Sequence, residues 1–275
     1  MDLMQRHERF AELHRQGCFV IPNPWDAGTA RMAAALGAQA LATSSAAHAF
    51  ALGRPDGQVS RDEALAHAQE IVAATALPVS GDFENGFGTA PDIVAETVRL
   101  GAEAGLSGLC IEDIDREDGT AYSFDLALER VRAGVAAARA LGRPFVFCAR
   151  ADGVIRHVYD LDEGIRRLRA YEEAGADLLY LPMPPGRDEI ARILAAVTAP
   201  VNVLAAGPVR QMRVAELARM GVRRISTGSQ ILRVSQAAIR DALAAMLGEE
   251  GSFAPLLQAA PGGEMDALLA RGGGR

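Results

Sequence analysis

Short apolar runs alternate with longer amphipathic stretches along most of the chain. The apolar runs predict strands at Cys18–Ile21, Ala40–Ser44, Val79–Asp82, Gly108–Glu112, Phe145–Arg150, Asp177–Leu181, Val201–Leu204 and Arg223–Ser226. Helical periodicity marks Pro91–Glu103, Phe124–Leu141, Leu161–Ala174 and Val209–Met220 between them. Short strands separated by helices predict parallel βαβ units. Such strands are buried on both faces, which explains why these runs show little polar alternation.

The breaks between elements follow a rule. Gly37, Gly105, Gly175 and Gly221 each follow a helical stretch and suit the left-handed position that ends a helix. Pro78, Pro144 and Pro200 stand before three other strands, so Gly and Pro alternate around the chain. That regularity predicts one closed α/β fold, a (β/α)8 TIM barrel, rather than an open doubly wound sheet. No Gly-x-Gly-x-x-Gly follows the first strand, which counts further against the open sheet. Asp2–Gln16 predicts an extra N-terminal helix and Gln230–Leu247 a long C-terminal one. Residues 1–275 therefore read as one barrel domain. Residues 248–275 form an extension whose Gly272–Arg275 end is expected to be loose.

Composition narrows the function classes. Apolar residues make up 49% and charged residues 23%, the balance of a folded soluble chain. The net charge of −7 offers no basic excess for nucleic acid or an anionic membrane. The N-terminus lacks the apolar core of a signal peptide, and no run approaches a membrane span, so a cytoplasmic protein is expected. All 28 basic residues are Arg; there is no Lys. Schiff-base aldolase chemistry, pyridoxal phosphate attachment and the P-loop clamp all need a lysine amine and are excluded. Cys18, Cys110 and Cys148 are too scattered for a disulfide framework or a zinc site. Each is expected to be a buried core residue.

Barrel chemistry sits at the C-terminal ends of the strands. Here those ends carry Thr43-Ser44-Ser45, Asp82-Phe83-Glu84, Glu112-Asp113, Arg150-Ala151-Asp152 and Asn202. Polar groups at apolar strand ends cost desolvation unless paired or liganded. Asp82 and Glu84 are two apart, so they share a direction while the extended conformation lasts. With Glu112 they would form a cluster of like charges. Two readings are open: a hard divalent cation such as Mg²⁺, or a salt-bridge network with Arg150 and other arginines.

Gly81-Asp82-Phe83-Glu84-Asn85-Gly86-Phe87-Gly88 resembles the Asp-x-Asp-x-Gly-Tyr-Gly metal motif of the isocitrate lyase/phosphoenolpyruvate mutase superfamily. Asn23-Pro24-Trp25-Asp26, Gly53-Arg54-Pro55-Asp56-Gly57, Ile111-Glu112-Asp113, Cys148-Ala149-Arg150-Ala151-Asp152 and Pro200-Val201-Asn202 resemble further pieces, in the same order. The resemblance spans roughly residues 15–245. It implies a Mg²⁺-dependent barrel acting on small 2-oxo or 2-hydroxy carboxylates through a pyruvate-like enolate. The activity expected is a C–C lyase or decarboxylase, with a phosphoenolpyruvate mutase-type P–C reaction as the alternative. Carried across, Asp82 is the direct metal ligand, and Glu84 and Glu112 complete the metal shell through water. Asp56 is a further acid near the metal. Backbone N–H groups at Ser44, Ser45 and Ala46 cradle the substrate carboxylate, and Arg150 faces the developing negative charge. Asn202 is placed to meet the distal part of the ligand.

Two departures stand out. The second acid of the metal motif is Glu84, one methylene longer than Asp. The lyase lid carries Lys-Lys-Cys-Gly-His, whereas Asp113–Tyr122 is shorter and has no Cys, Lys or His. That argues against orthodox isocitrate or methylisocitrate lyase chemistry. Tyr122 and His48 are the candidate replacement acids, with His157 a weaker one. A non-catalytic 2-oxo acid-binding barrel is a third possibility. A phosphosugar enzyme built on Ala205-Ala206-Gly207 and Thr227-Gly228-Ser229 is a rival that leaves the metal-type motif unexplained. The resemblance and the apolar width of Gln230–Leu247 together imply a homotetramer.

Overall fold

The computed structural model describes residues 1–274. Eight parallel strands run in the order β1-β8-β7-β6-β5-β4-β3-β2. They are β1 Phe19–Ile21, β2 Leu41–Ala42, β3 Val79–Asp82, β4 Gly108–Glu112, β5 Val146–Arg150, β6 Leu178–Tyr180, β7 Val201–Leu204 and β8 Arg224–Ser226. The seam between β1 and β2 is closed just beyond β1: Ala42 N–H donates to Pro22 O at 3.0 Å. Asn23 Nδ2 donates to Thr43 O at 2.8 Å, and Asn23 Oδ1 accepts from the N–H groups of Thr227 and Gly228. The result is the (β/α)8 barrel, and the open-sheet alternative is excluded.

The helices are α1 Leu3–Leu13, α2 Ala27–Ala35, α3 Ser45–Ala51, α4 Arg61–Ala74, α5 Pro91–Glu103, α6 Phe124–Ala140, α7 Leu161–Glu173, α8 Arg187–Ala196, α9 Val214–Met220, α10 Gln230–Leu247 and α11 Gly262–Gly272. Asp2, Asp26 and Ser60 cap α1, α2 and α4 with side-chain oxygens on their N3 backbone N–H groups. None of the described helices is long and apolar enough to cross a membrane.

Two hydrophobic layers hold the barrel. Alternate strand residues such as Leu109, Phe147, Leu179 and Ile225 face the helices. Their neighbours Cys110, Val146, Cys148, Leu178 and Tyr180 fill the interior together with Phe10 and Leu13 of α1. The extra N-terminal helix therefore plugs the barrel, and His7 Nδ1 lies 2.9 Å from Ser107 Oγ just ahead of β4.

Two expectations need correction. Val209–Met220 is not one helix. Pro208 opens a 3₁₀ turn over Gly207–Gln211, the chain then extends at Arg213, and α9 starts afresh with Arg213 N–H donating to Glu216. The C-terminal extension is not loose through Gly272 and Gly273. It forms α11, which packs on α2 so closely that a Cβ at Gly272 would overlap the Arg31 carbonyl. Arg275 lies outside the described residues.

Candidate active site

β3 ends at Asp82, and the loop that follows leaves the strand direction at once. Glu84 has φ 47, Gly86 φ 83 and Phe87 φ 64. Left-handed backbone at two non-glycine residues is costly and persists only where the surroundings fix it. Arg130, fully buried, supplies that fixing: its guanidinium donates to the carbonyls of Asn85, Gly88 and Thr89. Thr97 Oγ1 adds a 2.8 Å bond to Gly86 O. Strand alternation therefore stops at Asp82, and the extended geometry expected to align Glu84 with it does not last that far.

The carboxylates still gather around two arginines. Arg150 Nη1 is 3.3 Å from Glu112 Oε2 and 3.7 Å from Asp82 Oδ1, while its Nε is bound by Asp152 at 2.5 Å. Arg116, from the shortened lid, has its Nε 2.6 Å from Glu84 Oε2. Its Nη2 also donates to the carbonyls of Gly57 and Val59, and its guanidinium lies 4.6 Å over the Phe87 ring. Asp82 Oδ2 accepts from both the N–H and the hydroxyl of Ser45, each at 3.0 Å. The Ser45 N–H is thus committed to Asp82, which departs from its expected use in the substrate-carboxylate cradle.

Burial pushes the Glu84 carboxyl up to about 7; Arg116 opposes this and Asp82 and Asp56 add to it. Burial and Asp152 likewise hold Glu112 well above the usual carboxylate range, although Arg150 opposes. Burial works against the charge on Arg150, but Asp152, Glu112 and Asp82 outweigh it and keep the guanidinium protonated. Fully ionised, Asp82, Glu84, Glu112 and Asp152 would outnumber Arg150, Arg116 and Arg156, so Glu84 and Glu112 hold their protons more tightly than ordinary acids, and Glu84 Oε1 is buried with no partner. Among the described residues no three His, Cys, Asp or Glu side chains stand close enough to hold an ion by themselves. The donor set suits a cation that keeps waters and ligand oxygens in its shell, which is how Mg²⁺ is ordinarily bound. Of the two readings of the acids, the salt-bridge network is the one the side chains form: Arg150 and Arg116 pair with them and leave Glu84 Oε1 unmet.

Asp82, Arg150, Ser44, Ser45, Ala46 and Asp56 line one cavity of about 240 Å³ at the C-terminal mouth of the barrel. Glu84 and His48 lie off this cavity and share a small recess with Asp82. His48 stacks on His67 with ring centroids 3.9 Å apart, and burial lowers its pKa, so it is a neutral side chain poorly suited to act as an acid. Tyr122 is buried behind the site; its hydroxyl accepts from Asn85 Nδ2 at 2.7 Å and its ring lies beneath Arg130. His157 is exposed. Asn202 is fully buried and meets Ser226 and Arg224 rather than the cavity. Cys110 lines the cavity wall and lies 3.2 Å from Cys148 Sγ.

Sequence reasoning overlooked three charged residues. Arg116 lies in an aperiodic lid, and nothing in its local sequence indicates what it reaches. Asp152 was legible within the Arg150 motif but carried no role. Arg224 was legible by alternation, two residues before Ser226 on an inward-facing strand.

Comparison with known proteins agrees with this geometry. The sequence profile of phosphoenolpyruvate phosphomutase matches residues 10–247. A crystal structure from Burkholderia cenocepacia J2315, of a protein described no further than lyase/mutase, is 46% identical. It covers 98% of each chain with a TM-score of 0.93. The 2,3-dimethylmalate lyase of Eubacterium barkeri is 31% identical over 211 residues, 74% of this chain and 72% of that one. An oxaloacetate decarboxylase of Bradyrhizobium sp. strain BTAi1 is 31% identical over 252 residues, 90% and 86% of the two chains. The profile match covers most of the chain, and the barrel-mouth acids and Arg150 fall on the motifs that first suggested kinship: this chain belongs to the phosphoenolpyruvate mutase family, within the isocitrate lyase/phosphoenolpyruvate mutase superfamily of lyases and mutases.

Proposed function

We propose that this protein is a Mg²⁺-dependent enzyme that acts on a small 2-oxo or 2-hydroxy carboxylate through an enolate, as a C–C lyase or decarboxylase. The observation that carries this reading is the crowding of acids at the barrel mouth, where Glu84, its Oε1 without a partner, shares a recess with Asp82, the acid that lines the cavity with Arg150. Asp82 would hold the ion directly, with Glu84 and Glu112 in its shell. Mg²⁺ bound there would supply Lewis-acid polarisation of the keto oxygen.

The chain's own residues do the rest. Asp152 fixes Arg150, which offers a permanent positive charge where the enolate oxygen develops. Ser44, Ser45 and Ala46 wall the place of the substrate carboxylate, and Ser45 orients Asp82. Arg116 ties the lid to the Gly57–Val59 backbone and so covers Glu84 from solvent. Relatives named for 2,3-dimethylmalate and oxaloacetate lend support for the substrate class.

A turnover screen of pyruvate, oxaloacetate, 2-oxoglutarate, phosphonopyruvate and 2,3-dimethylmalate, with Mg²⁺ or with a chelator, tests the reading. Consumption of one acid that stops on chelation is expected. Consumption at an unchanged rate with chelator would sink the metal assignment. Binding without consumption would mark a non-catalytic barrel.

The assembly proposed is a homotetramer. α10 exposes Val234, Ile239, Leu243 and Leu247, and an apolar groove of about 850 Å³ runs between α10 and the β1–α2 segment. Faces of this kind are usually covered by protein. Light scattering at micromolar concentration should give four times the chain mass; a monomer would refute it.

A further inference from the structure

The inner wall of the barrel carries a second cation that the metal-side chemistry does not use. Arg224 opens β8, and the residue is only 4% exposed. Its Nε donates to Asn202 Oδ1 at 2.8 Å, its Nη2 touches Cys148 Sγ at 3.7 Å, and its Nη1 has no partner. No carboxylate among the described residues pairs with it. Arg150, by contrast, contacts three.

This arginine is mounted rather than stranded. Asn202 is fully buried, and its Nδ2 donates to Ser226 Oγ at 2.9 Å, which turns its Oδ1 toward Arg224. The mount spans adjacent strands, since Asn202 and Arg224 are register partners. Arg224 lines the same cavity as Asp82 and Arg150, and the cavity wall on β2 and β3 is lined by small residues, Ala42 and Ser80. Barrel interiors are ordinarily filled by bulky branched side chains at such positions. Arg233, exposed on α10, lines the cavity on the same β8 side.

Buried charges are nearly always paired, because an uncompensated one is costly. A buried guanidinium on a cavity wall without a protein counter-ion is explained if a ligand brings the counter-ion. We infer that Arg224 is the receptor for a second anionic group of the substrate, on the part of the molecule remote from the 2-oxo acid head. The cavity is then bipolar. Its β2–β4 side binds the head through the acids and their cation, and its β8 side binds a distal carboxylate or phosphonate. This rests on the 2-oxo acid reading above and deepens it: Arg224 sets the preference for doubly anionic over singly anionic acids.

Calorimetry on the full chain at saturating Mg²⁺ tests it, with pyruvate, 3,3-difluorooxaloacetate and phosphonopyruvate as probes. The wild type should prefer at least one doubly anionic acid over pyruvate by roughly tenfold or more, as a charge-assisted bond would give. Whichever acid is preferred tells carboxylate from phosphonate. Arg224→Gln should bring that ratio close to one, and Arg224→Lys should restore part of it. A wild-type ratio near one overturns the inference without any variant, which covers the case in which Arg224→Gln fails to fold. An unchanged ratio in a folded Arg224→Gln protein overturns it as well. Binding of none of the three probes by the wild type would fell the 2-oxo acid reading itself, a result distinct from a lost preference.

Discussion

Glu112 and Asp113 are neighbours in the chain and are almost equally buried, at 6% and 3% exposure, yet they end in opposite chemical states. Asp113 accepts from Asp152 N–H, Tyr159 Oη, Tyr171 Oη and Arg167 Nη1, all at about 3 Å. Glu112 has one charged partner, Arg150, at 3.3 Å, and burial raises its pKa. One residue's shift along β4 turns the side chain from the helix layer to the barrel mouth. A buried acid whose oxygens are all met by fixed donors is scaffold. A buried acid left short is a place for something to bind. The same contrast separates Arg167, paired with Asp113 and Glu163, from Arg224, which has no acid at all.

The largest effect should come from breaking the satisfied acid. Asp113→Ala strips one acid from Arg167 and the acceptor from two tyrosine hydroxyls, where the end of β4 packs on α7 and the Tyr159 segment before it. Removing one member of a buried ionic network costs about 3–5 kcal/mol, a large share of the stability of an ordinary domain. Urea unfolding should show that loss with or without Mg²⁺. A wild-type midpoint would mean that the network is ornamental.

Breaking the unsatisfied cluster should do the reverse. Asp82→Ala removes the proposed direct ligand and relieves repulsion among the acids. Mg²⁺ affinity should drop by about a hundredfold or more, beyond what loss of an outer-shell partner costs. The metal-free protein should melt no lower than wild type. Unchanged Mg²⁺ affinity by calorimetry would place the ion elsewhere.

How much of this contrast was legible in the chain depends on where each residue lies. β3, β4 and β7 begin and end where the apolar runs do, and α5 and α10 match their periodicity, because buried parallel strands and amphipathic helices carry their own signal. Asp82, Arg150 and Asp56 were legible because strand ends and motif spacing place them. Glu84 was misjudged: a positive φ at a non-glycine residue leaves no local mark, and it is enforced by partners distant in sequence, the Arg130 clamp 46 positions away and Thr97 on Gly86 O. Arg116, Tyr122 and Asn202 failed for the same reason. Which way a loop or inner-wall side chain turns is decided by partners distant in sequence.

A third test uses the titration of the site. The folded state holds the Glu84 proton up to about pH 7, against an ordinary value of 4.5. Between those values the folded chain binds more protons than the unfolded chain, so this group's contribution to stability falls as pH rises. His7, His14 and His67 are shifted downward by burial and act in the opposite sense below their ordinary 6.5. The informative quantity is therefore the difference between wild type and Glu84→Gln without metal. Glu84→Gln should gain melting temperature relative to wild type as pH rises from about 5 to about 7. Mg²⁺ affinity of the wild type should rise over the same interval, since the ion displaces the proton. A flat difference would show that Glu84 is an ordinary surface-like acid held by Arg116.

The smallest expected effect is the one that best separates scaffold from site. Tyr122 offers the phenolic hydroxyl of the lid as a replacement for the missing lyase acid, yet it lies buried behind the β3 loop with Asn85 Nδ2 donating to it at 2.7 Å. It does not line the cavity. Tyr122→Phe keeps the ring under Arg130 and removes the hydroxyl, which leaves the buried Asn85 amide donor unmet and takes away the bond to Asp115. That should cost about 1–3 kcal/mol of stability. If the hydroxyl delivered a proton in the reaction, the same change would lower kcat by about 10²–10⁴. The geometry here predicts a kcat within a few-fold of wild type and an unaltered pH profile, together with a modest loss in urea stability. A hundredfold fall in kcat with stability intact would move Tyr122 from the scaffold to the site, and the lid would then have to swing to bring it there.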